Sequence, residues 1–263
     1  RILVGRLTEF SFGSMDKEGV NDESYKLYCY WEGGNRHWFY DLCWQTTKRH
    51  NPDAVLIGRK DVEDLLGPLP KVLEKAYCTH RVDWIRKKFI ATVGGAWVDM
   101  DYICWSDLSW LTEMARGFDF IGYKEWNTGD WMDNFFAGRA GSKVVHESAD
   151  FALEVLERKE GAIGWLEAAT DAVRKSLDNN GWGQWIELPT HLVTPINCLD
   201  VSLWEQGGVD EDMANYNSWG VIPSRHALAE LIDRFDGPDD LLASDTRLGA
   251  CLRRGLDLPP ISQ

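Results

Sequence analysis

The fold assignment begins with residues 80–111, which read HRVDWIRKKFIATVGGAWVDMDYICWSDLSWL. Within them an apolar run, Ala96–Val98, is typical of a buried strand. Two carboxylates one residue apart, Asp99 and Asp101, follow that run directly. Because the chain turns where a strand ends, we expect both side chains to converge on one small volume. Two hard oxygen ligands at a strand end suit Mg²⁺ or Mn²⁺, which keep open positions for substrate phosphates.

A second polar pair precedes this turn. Residues Lys71–Val93 are predicted to be largely helical, which puts Asp83 and Arg86 at positions i and i+3 on one helix face. Two interpretations of the pair are open. It is an ion pair on the helix surface, which would contribute little to stability, or it is a polar pair aimed at a ligand. Taken alone, the pair favours the first interpretation.

Taken together, these pieces resemble the DXD-type nucleotide-sugar glycosyltransferases: Asp-x-x-Arg at 83–86, Gly-Gly at 94–95 and Asp-x-Asp at 99–101, followed by a hydrophobic segment. The group resembled includes yeast-type α-mannosyltransferases, capsular polysaccharide synthesis transferases and the catalytic domains of clostridial glucosylating toxins. Its usual pattern is Ser-Asp-x-x-Arg followed by Gly-Gly-x-Tyr-x-Asp-x-Asp. This chain has Val82 in place of the Ser and Trp97 in place of the Tyr.

The resemblance implies a GT-A-like α/β fold, in which helices flank a mixed, mostly parallel sheet. We expect residues 25–263 to form a single domain of this kind, with extra C-terminal helices, and residues 1–24 to be a lead-in segment. The opening of the chain agrees with this fold. A strand at Tyr25–Trp31, a helix at Trp38–His50 and a strand at Ala54–Ile57 predict the βαβ unit of a parallel sheet.

The rest of the chain alternates short apolar runs with helical segments. Predicted in order are a helix at 61–66, a helix from 106 or 107 to 116, a strand at 118–123, helices at 142–159 and 164–177, a strand at 199–204 and two helices within 226–256. No internal repeat or low-complexity linker divides the sequence, which favours a single domain.

The resemblance also implies roles for the polar residues. Asp101 and Asp99 would hold Mn²⁺ or Mg²⁺, and the metal would act as a Lewis acid toward the leaving diphosphate. Asp83 would bind sugar hydroxyls, and Arg86 would lie near the sugar or phosphate. These four are the candidate catalytic residues. Asn134 occupies a place where family members have an Asn close to the donor sugar.

Two more segments are candidates for donor binding. Trp31 ends the first strand, where the family stacks an aromatic on the nucleotide base; a core aromatic is the equal alternative. Ser218-Trp219 matches the end of a segment that in the family contains a His and folds over the diphosphate and metal. That His is absent here, so Asn215 or Asn217 would have to supply a neutral oxygen ligand beside Ser218. An ordinary loop is the alternative for this segment.

Composition limits the partners. The formal net charge of −14 argues against a nucleic-acid or anionic-membrane surface, because phosphate backbones require Lys and Arg. The six cysteines lack Cys-x-x-Cys spacing, so no zinc site is expected, and we interpret them as reduced, which favours a cytoplasmic location. No apolar run is long enough to be a transmembrane segment.

The predicted function is therefore transfer of a sugar from a UDP- or GDP-hexose to a glycan or other hydroxyl acceptor, with retention of configuration implied by the resemblance. The alternative is a non-catalytic carbohydrate- or metal-binding module, or an inactive transferase homologue. A glycoside hydrolase fits less well, because its two carboxyl groups lie about 5–10 Å apart across a sugar, whereas an Asp-x-Asp turn resembles a metal clamp.

Overall fold

The fold is described from a computed structural model that covers residues 25–160, 163–164, 166–181, 184–207 and 216–261. The strands are β1 Leu27–Tyr30, β2 Val55–Ile57, β3 Gly95–Val98, β4 Ile103–Cys104, β5 Phe120–Tyr123, β6 Phe135–Gly138, β7 Trp185–Leu188 and β8 Gly220–Val221. The helices are α1 Trp38–His50, α2 Arg59–Leu66, α3 Lys71–Lys75, α4 Cys78–Val93, α5 Ser109–Ala115, α6 Lys143–Arg158, α7 Thr170–Asn180, α8 Thr190–Val193, α9 Val201–Glu205, α10 Ala229–Ile232, α11 Pro238–Ala243 and α12 Arg247–Gly255.

Six strands form the central sheet, in the order β2-β1-β3-β6-β5-β7. The pairs β2–β1, β1–β3 and β5–β7 are parallel, and β6 runs antiparallel to both of its neighbours. The predicted mixed, mostly parallel α/β sheet is thereby confirmed. The predicted βαβ opening is confirmed as well, since α1 connects two adjacent parallel strands.

Both faces of this sheet are covered, as expected of buried strands with continuous apolar sequence. Side chains of β3 alternate between two cores. Trp97 joins the apolar cluster that contains α4, α6 and α7 residues, whereas Ala96 and Val98 join a second cluster with α5 residues. The strand that carries Asp99 at its end is therefore fixed from both sides.

Two glycines join α4 to β3 without an intervening loop. Gly94 and Gly95 both have positive φ, +72° and +111°, a conformation that glycine adopts without steric cost. A Cβ on Gly94 would lie 2.4 Å from Tyr25 Cζ and 2.7 Å from the Ala140 nitrogen, and one on Gly95 would lie 2.5 Å from the Lys26 carbonyl oxygen. This tight connection brings the polar face of α4 next to the end of β3.

The C-terminal part of the chain reaches back to the carboxylate turn. Strands β4 and β8 form a separate antiparallel pair, with Ile103 opposite Val221. Helices α9, α11 and α12 pack with α1 and β4 around a third apolar cluster. The segment after β8 is thus held beside the chain that follows Asp101.

Three predicted elements differ from the structure. Leu199–Trp204 is not a strand: α9 forms there because the Asp200 carboxylate accepts a hydrogen bond from Leu203 N, 3.4 Å, and caps the helix. The helix predicted at 164–177 begins later and ends at Gly181, whose φ is +67°. Residues 226–256 contain α10, α11 and α12 instead of two helices.

Two other predictions concern the lead-in segment and the absence of a transmembrane segment. The lead-in segment, residues 1–24, lies outside the described residues. In the described part of the chain no helix is both long and apolar enough to cross a membrane.

Candidate active site

The turn after β3 holds the two predicted carboxylates. Tyr102 N donates to the Asp99 carbonyl oxygen, 3.0 Å, and Asp99 N donates to the Asn134 carbonyl oxygen, 2.9 Å. One carboxylate oxygen of Asp99 accepts from the indole nitrogen of Trp97, 2.8 Å. The turn is therefore fixed through its main chain and through one of its side chains, at the end of a buried strand.

Arg86 joins this turn to α4. Its guanidinium donates to the carboxylates of Asp83, 2.8 Å, and Asp99, 3.2 Å, and to both the carbonyl and the carboxylate of Asp133, 3.0 and 3.2 Å. Asp83 and Arg86 are 5% and 6% exposed, so the interpretation as a surface ion pair is wrong. The structure brings Asp83, Arg86 and Asp99 together at the strand end.

Asp83, Arg86 and Asp99 form a cluster with two further buried residues, Lys87 and Asp133. Sequence reasoning missed both of these. Lys87 is 1% exposed and forms an ion pair with Asp133. Its ammonium also donates to the carbonyl oxygens of Asp83 and Ala168, both at 2.9 Å. Burial alone would raise the pKa of Asp133, but Arg86 and Lys87 outweigh it and lower that pKa. The sequence signal that could have identified Asp133 is its position as a carboxylate inside the apolar stretch 131–137.

The two carboxylates of the turn lie in a different environment. Burial raises the pKa of Asp99 to about 7, even though Arg86 beside it favours the charged form. Burial also raises the pKa of Asp101, against the hydrogen bond that Asp101 accepts from the main-chain nitrogen of Arg225, 3.1 Å. Desolvation therefore disfavours the anionic form of both groups.

This charge balance fits a divalent cation. The cluster contains two cationic side chains and four carboxylates, which gives an excess of two negative charges when all four carboxylates are ionised; its members are Arg86, Lys87, Asp83, Asp99, Asp101 and Asp133. Oxygen donors suit Mg²⁺ or Mn²⁺. In the part of the chain that the structure describes, no group of three or more His, Cys, Asp or Glu side chains is arranged to hold a metal ion. Further ligands would come from phosphate, water or neutral oxygens.

Asn134 adjoins this cluster, and Trp31 follows β1, the strand that pairs with β3. The side-chain oxygen of Asn134 accepts from the Tyr123 hydroxyl, 2.9 Å, while its main chain holds Asp99. Trp31 is partly buried, and its ring centroid lies 4.9 Å from that of Tyr40. Its indole N–H is buried without a hydrogen-bond partner among the described residues. An unpaired buried donor is unfavourable, but the indole N–H of the core residue Trp84 is unpaired in the same way, so base stacking and core packing both stay open for Trp31.

Ser218 and Trp219 contact main chain and core. The Ser218 hydroxyl lies 3.0 Å from the Leu192 carbonyl oxygen and 2.7 Å from that of Gly220. Trp219 lies against Trp110, with ring centroids 4.3 Å apart. These contacts anchor the segment to α8 and α5, and they engage the hydroxyl that the resemblance assigns to metal or phosphate. Of the two asparagines proposed as neutral ligands, Asn215 lies outside the described residues and Asn217 is exposed.

A cavity of about 660 Å³ adjoins the cluster. Three residues that line the cavity each contact a predicted site residue. His80 Nδ1 is 3.6 Å from a carboxylate oxygen of Asp83, the main chain of Arg225 is bonded to Asp101, and the ring of Tyr40 lies beside that of Trp31. The lining residues are His37, Tyr40, Tyr77, Thr79, His80, Ile163, Arg225, His226 and Ala229. This cavity is the candidate substrate site.

Comparison with known proteins gives structural matches alone. No protein-family model matches the chain, and no curated protein matches it. The structure titled PaToxG Glycosyltransferase is 15% identical, covers 89% of this chain and 87% of that one, and has a TM-score of 0.47. The glycosyltransferase GlyE of Streptococcus pneumoniae TIGR4 is 10% identical over 64% of this chain and 46% of that one, with a TM-score of 0.40. Its apo form is 13% identical, with the same coverage and TM-score.

Proposed function

We propose that this chain is a metal-dependent glycosyltransferase. It would move a hexose from a nucleotide diphosphate donor, a UDP- or GDP-sugar, to a hydroxyl group of a glycan or other acceptor, with retention of configuration. One observation supports the proposal above all others. The buried pair Asp83 and Arg86 and the partly buried carboxylates Asp99 and Asp101 meet at the end of a sheet strand, beside a cavity large enough for a small ligand.

The metal site in this proposal is the carboxylate turn. Asp101 and Asp99 would hold Mn²⁺ or Mg²⁺, which when bound would stabilise the negative charge of the departing diphosphate as a Lewis acid. The excess of negative charge in the cluster supports this assignment. Arg86 keeps the Asp99 carboxylate in place through its hydrogen bond of 3.2 Å, and Trp97 fixes the other oxygen.

The sugar and the base are assigned to the two sides of this turn. Asp83 keeps acceptor capacity for sugar hydroxyls, because a carboxylate accepts more hydrogen bonds than the one from Arg86. Asn134 directly precedes β6, accepts a hydrogen bond from Asp99 N through its carbonyl oxygen and is assigned to the donor sugar. Trp31 is assigned to the nucleotide base, since its unpaired indole N–H and its aromatic face are both suited to a heterocycle.

A second candidate function is a carbohydrate- or metal-binding module that does not turn over a donor. It is favoured by the engagement of Ser218 with main-chain carbonyls and by the small number of carboxylate ligands at the turn. Such a module would bind Mn²⁺ or a sugar and release no nucleotide from any donor.

Incubation with Mn²⁺ and a panel of UDP- and GDP-sugars, followed by measurement of released nucleotide, tests the proposal. We expect release from at least one donor. We expect Asp101→Ala to reduce it by about a thousandfold or more, because the metal loses its direct ligand. Asp101→Asn should also be severely impaired.

Asp64→Ala is the matched control, since Asp64 is an exposed carboxylate in an i,i+4 ion pair with Lys60. This variant should keep full activity, and the melting temperature of each variant should be recorded. Full activity in EDTA, or an unaffected Asp101→Ala variant, would refute metal dependence through this turn. Binding of Mn²⁺ without release of nucleotide from any donor would favour the non-catalytic module.

A further inference from the structure

We infer that the side chain of Arg225 binds the diphosphate of the donor, and that its guanidinium is paired with Asp233 until the donor binds. The inference rests on the proposed function and adds a residue that the sequence motifs do not contain. It concerns the loop after β8, which forms part of the cavity wall through Arg225.

The main chain of Arg225 is fixed next to the carboxylate turn. Its N–H donates to Asp101 Oδ2 at 3.1 Å. The loop is held from behind, since β8 pairs with β4 and Leu228 N donates to the Ser224 carbonyl oxygen at 2.9 Å. Arg225 therefore lines the cavity at a point one main-chain hydrogen bond away from the predicted metal site.

The other cations near this point are already used. Arg86 and Lys87 are both buried, and their donors are engaged by carboxylates and carbonyls of the cluster. Arg225 differs because its side chain is bonded to one carboxylate at the protein surface, Asp233, at 2.6 Å. Asp233 is 57% exposed. An ion pair with such a solvated partner is weak, so phosphate oxygens can replace Asp233.

His37 does not compete strongly for Asp233. Its Nε2 lies 3.7 Å from the Asp233 carboxylate. Burial and the positive charge of Arg225 lower the pKa of His37, so His37 is mostly neutral near pH 7. Asp233 is therefore paired mainly with Arg225. Substitution of Asp233 releases the Arg225 guanidinium and affects the other contacts of Asp233 less.

A diphosphate at this place needs a cation from the protein. It would lie beside Asp99 and Asp101 in a chain whose formal net charge is −14. The Ser218 hydroxyl, assigned to the phosphate by resemblance, is engaged with main-chain carbonyls. A guanidinium offers a planar set of donors that matches phosphate oxygens. Of the described residues that line the cavity, Arg225 is the one with a permanent positive charge.

Binding of UDP and GDP, each compared with its nucleoside, tests the inference. In the presence of Mn²⁺, we expect Arg225→Ala to weaken binding of the better nucleoside diphosphate by about ten- to a hundredfold, with no change for uridine or guanosine. Arg225→Lys should lie in between, since it keeps the charge but loses the fork of donors. Asp233→Asn should tighten diphosphate binding several-fold, and only while Arg225 is present.

Arg234→Ala is the matched control, because it removes the same charge one residue after Asp233, where Arg234 pairs with Glu205. It should leave all four affinities unchanged. If the unsubstituted protein binds neither diphosphate, the proposed function and this inference are both wrong. If it binds one and Arg225→Ala binds it equally well, or if Asp233→Asn tightens binding in the Arg225→Ala background too, the inference alone is overturned.

Discussion

Arg86 and Lys87 are adjacent cations on a helix face that is almost inaccessible to solvent. A buried charge is tolerated when it is paired and hydrogen-bonded, and Asp133 supplies that pairing for both residues. Asp133 lies on the segment that leads into β6, the antiparallel neighbour of β3. Asp133, which compensates the two buried cations of α4, therefore lies on the same segment that holds the main chain of Asp99.

Asp133→Asn is expected to destabilise the protein strongly. The substitution leaves Lys87 buried with carbonyl partners alone and removes one of three carboxylates from Arg86. Loss of one partner from a buried ion pair lowers the free energy of unfolding by about 3–5 kcal/mol. Urea denaturation measures this change.

The control for that substitution is Asp150→Asn, which removes an exposed carboxylate 3.5 Å from Lys88. Its effect should stay within about 0.5 kcal/mol. Equal stability of the two variants would mean that Asp133 does not compensate the buried cations.

At the level of elements, local sequence was sufficient wherever a segment carries its own start and stop signals. Helix α1 has the predicted bounds, Trp38–His50, because Asn51-Pro52 ends the apolar periodicity. Helix α6 begins at the predicted place, where Ser142 caps it and accepts from Val145 N. The segment Leu199–Trp204 was wrong because a short apolar run has no distinctive period, and the cap at Asp200 decided between the two structures.

The residues of the candidate site also fall into those that local sequence predicts and those that it does not. Asp83, Arg86, Asp99 and Asp101 lie within one continuous motif, so their spacing was visible in the sequence. Lys87 meets Asp133 across 46 positions, and the main chain of Arg225 meets Asp101 across 124. Those contacts depend on the β3–β6 and β4–β8 pairings, which no local pattern specifies. Sequence reasoning therefore found the motif and missed what surrounds it.

Trp219→Ala tests whether the segment at 216–220 is a fixed part of the fold. The Trp219 ring packs on Trp110, and its main chain bonds Leu192 and Trp105. Because the ring is partly buried, we expect a loss of about 2 kcal/mol in unfolding free energy, and less than about 1 kcal/mol for Trp219→Phe. A lid that closes only over the donor predicts an unchanged melting temperature and a large loss of transfer. Calorimetry together with the nucleotide-release assay separates the two outcomes.

For the whole molecule, the charge excess at the turn lies within a chain that is itself strongly acidic. The formal net charge of −14 attracts metal cations to the entire surface and repels a nucleotide diphosphate. Local cations are then the way in which an acidic protein accepts an anionic donor. Under the proposed function that role would fall to Arg225 and to a metal bound at the carboxylate turn.

The same long-range field predicts a salt dependence of Mn²⁺ binding. Raising NaCl from about 0.01 M to about 0.1 M shortens the Debye length from about 30 Å to about 10 Å. Distant carboxylates then no longer assist the site, and we expect the Kd for Mn²⁺ to rise by about three- to tenfold. Titration by calorimetry at fixed pH measures this change, and KCl at equal ionic strength should give the same curve. A Kd that stays constant over the series would show that Asp99, Asp101 and their immediate neighbours alone determine the affinity.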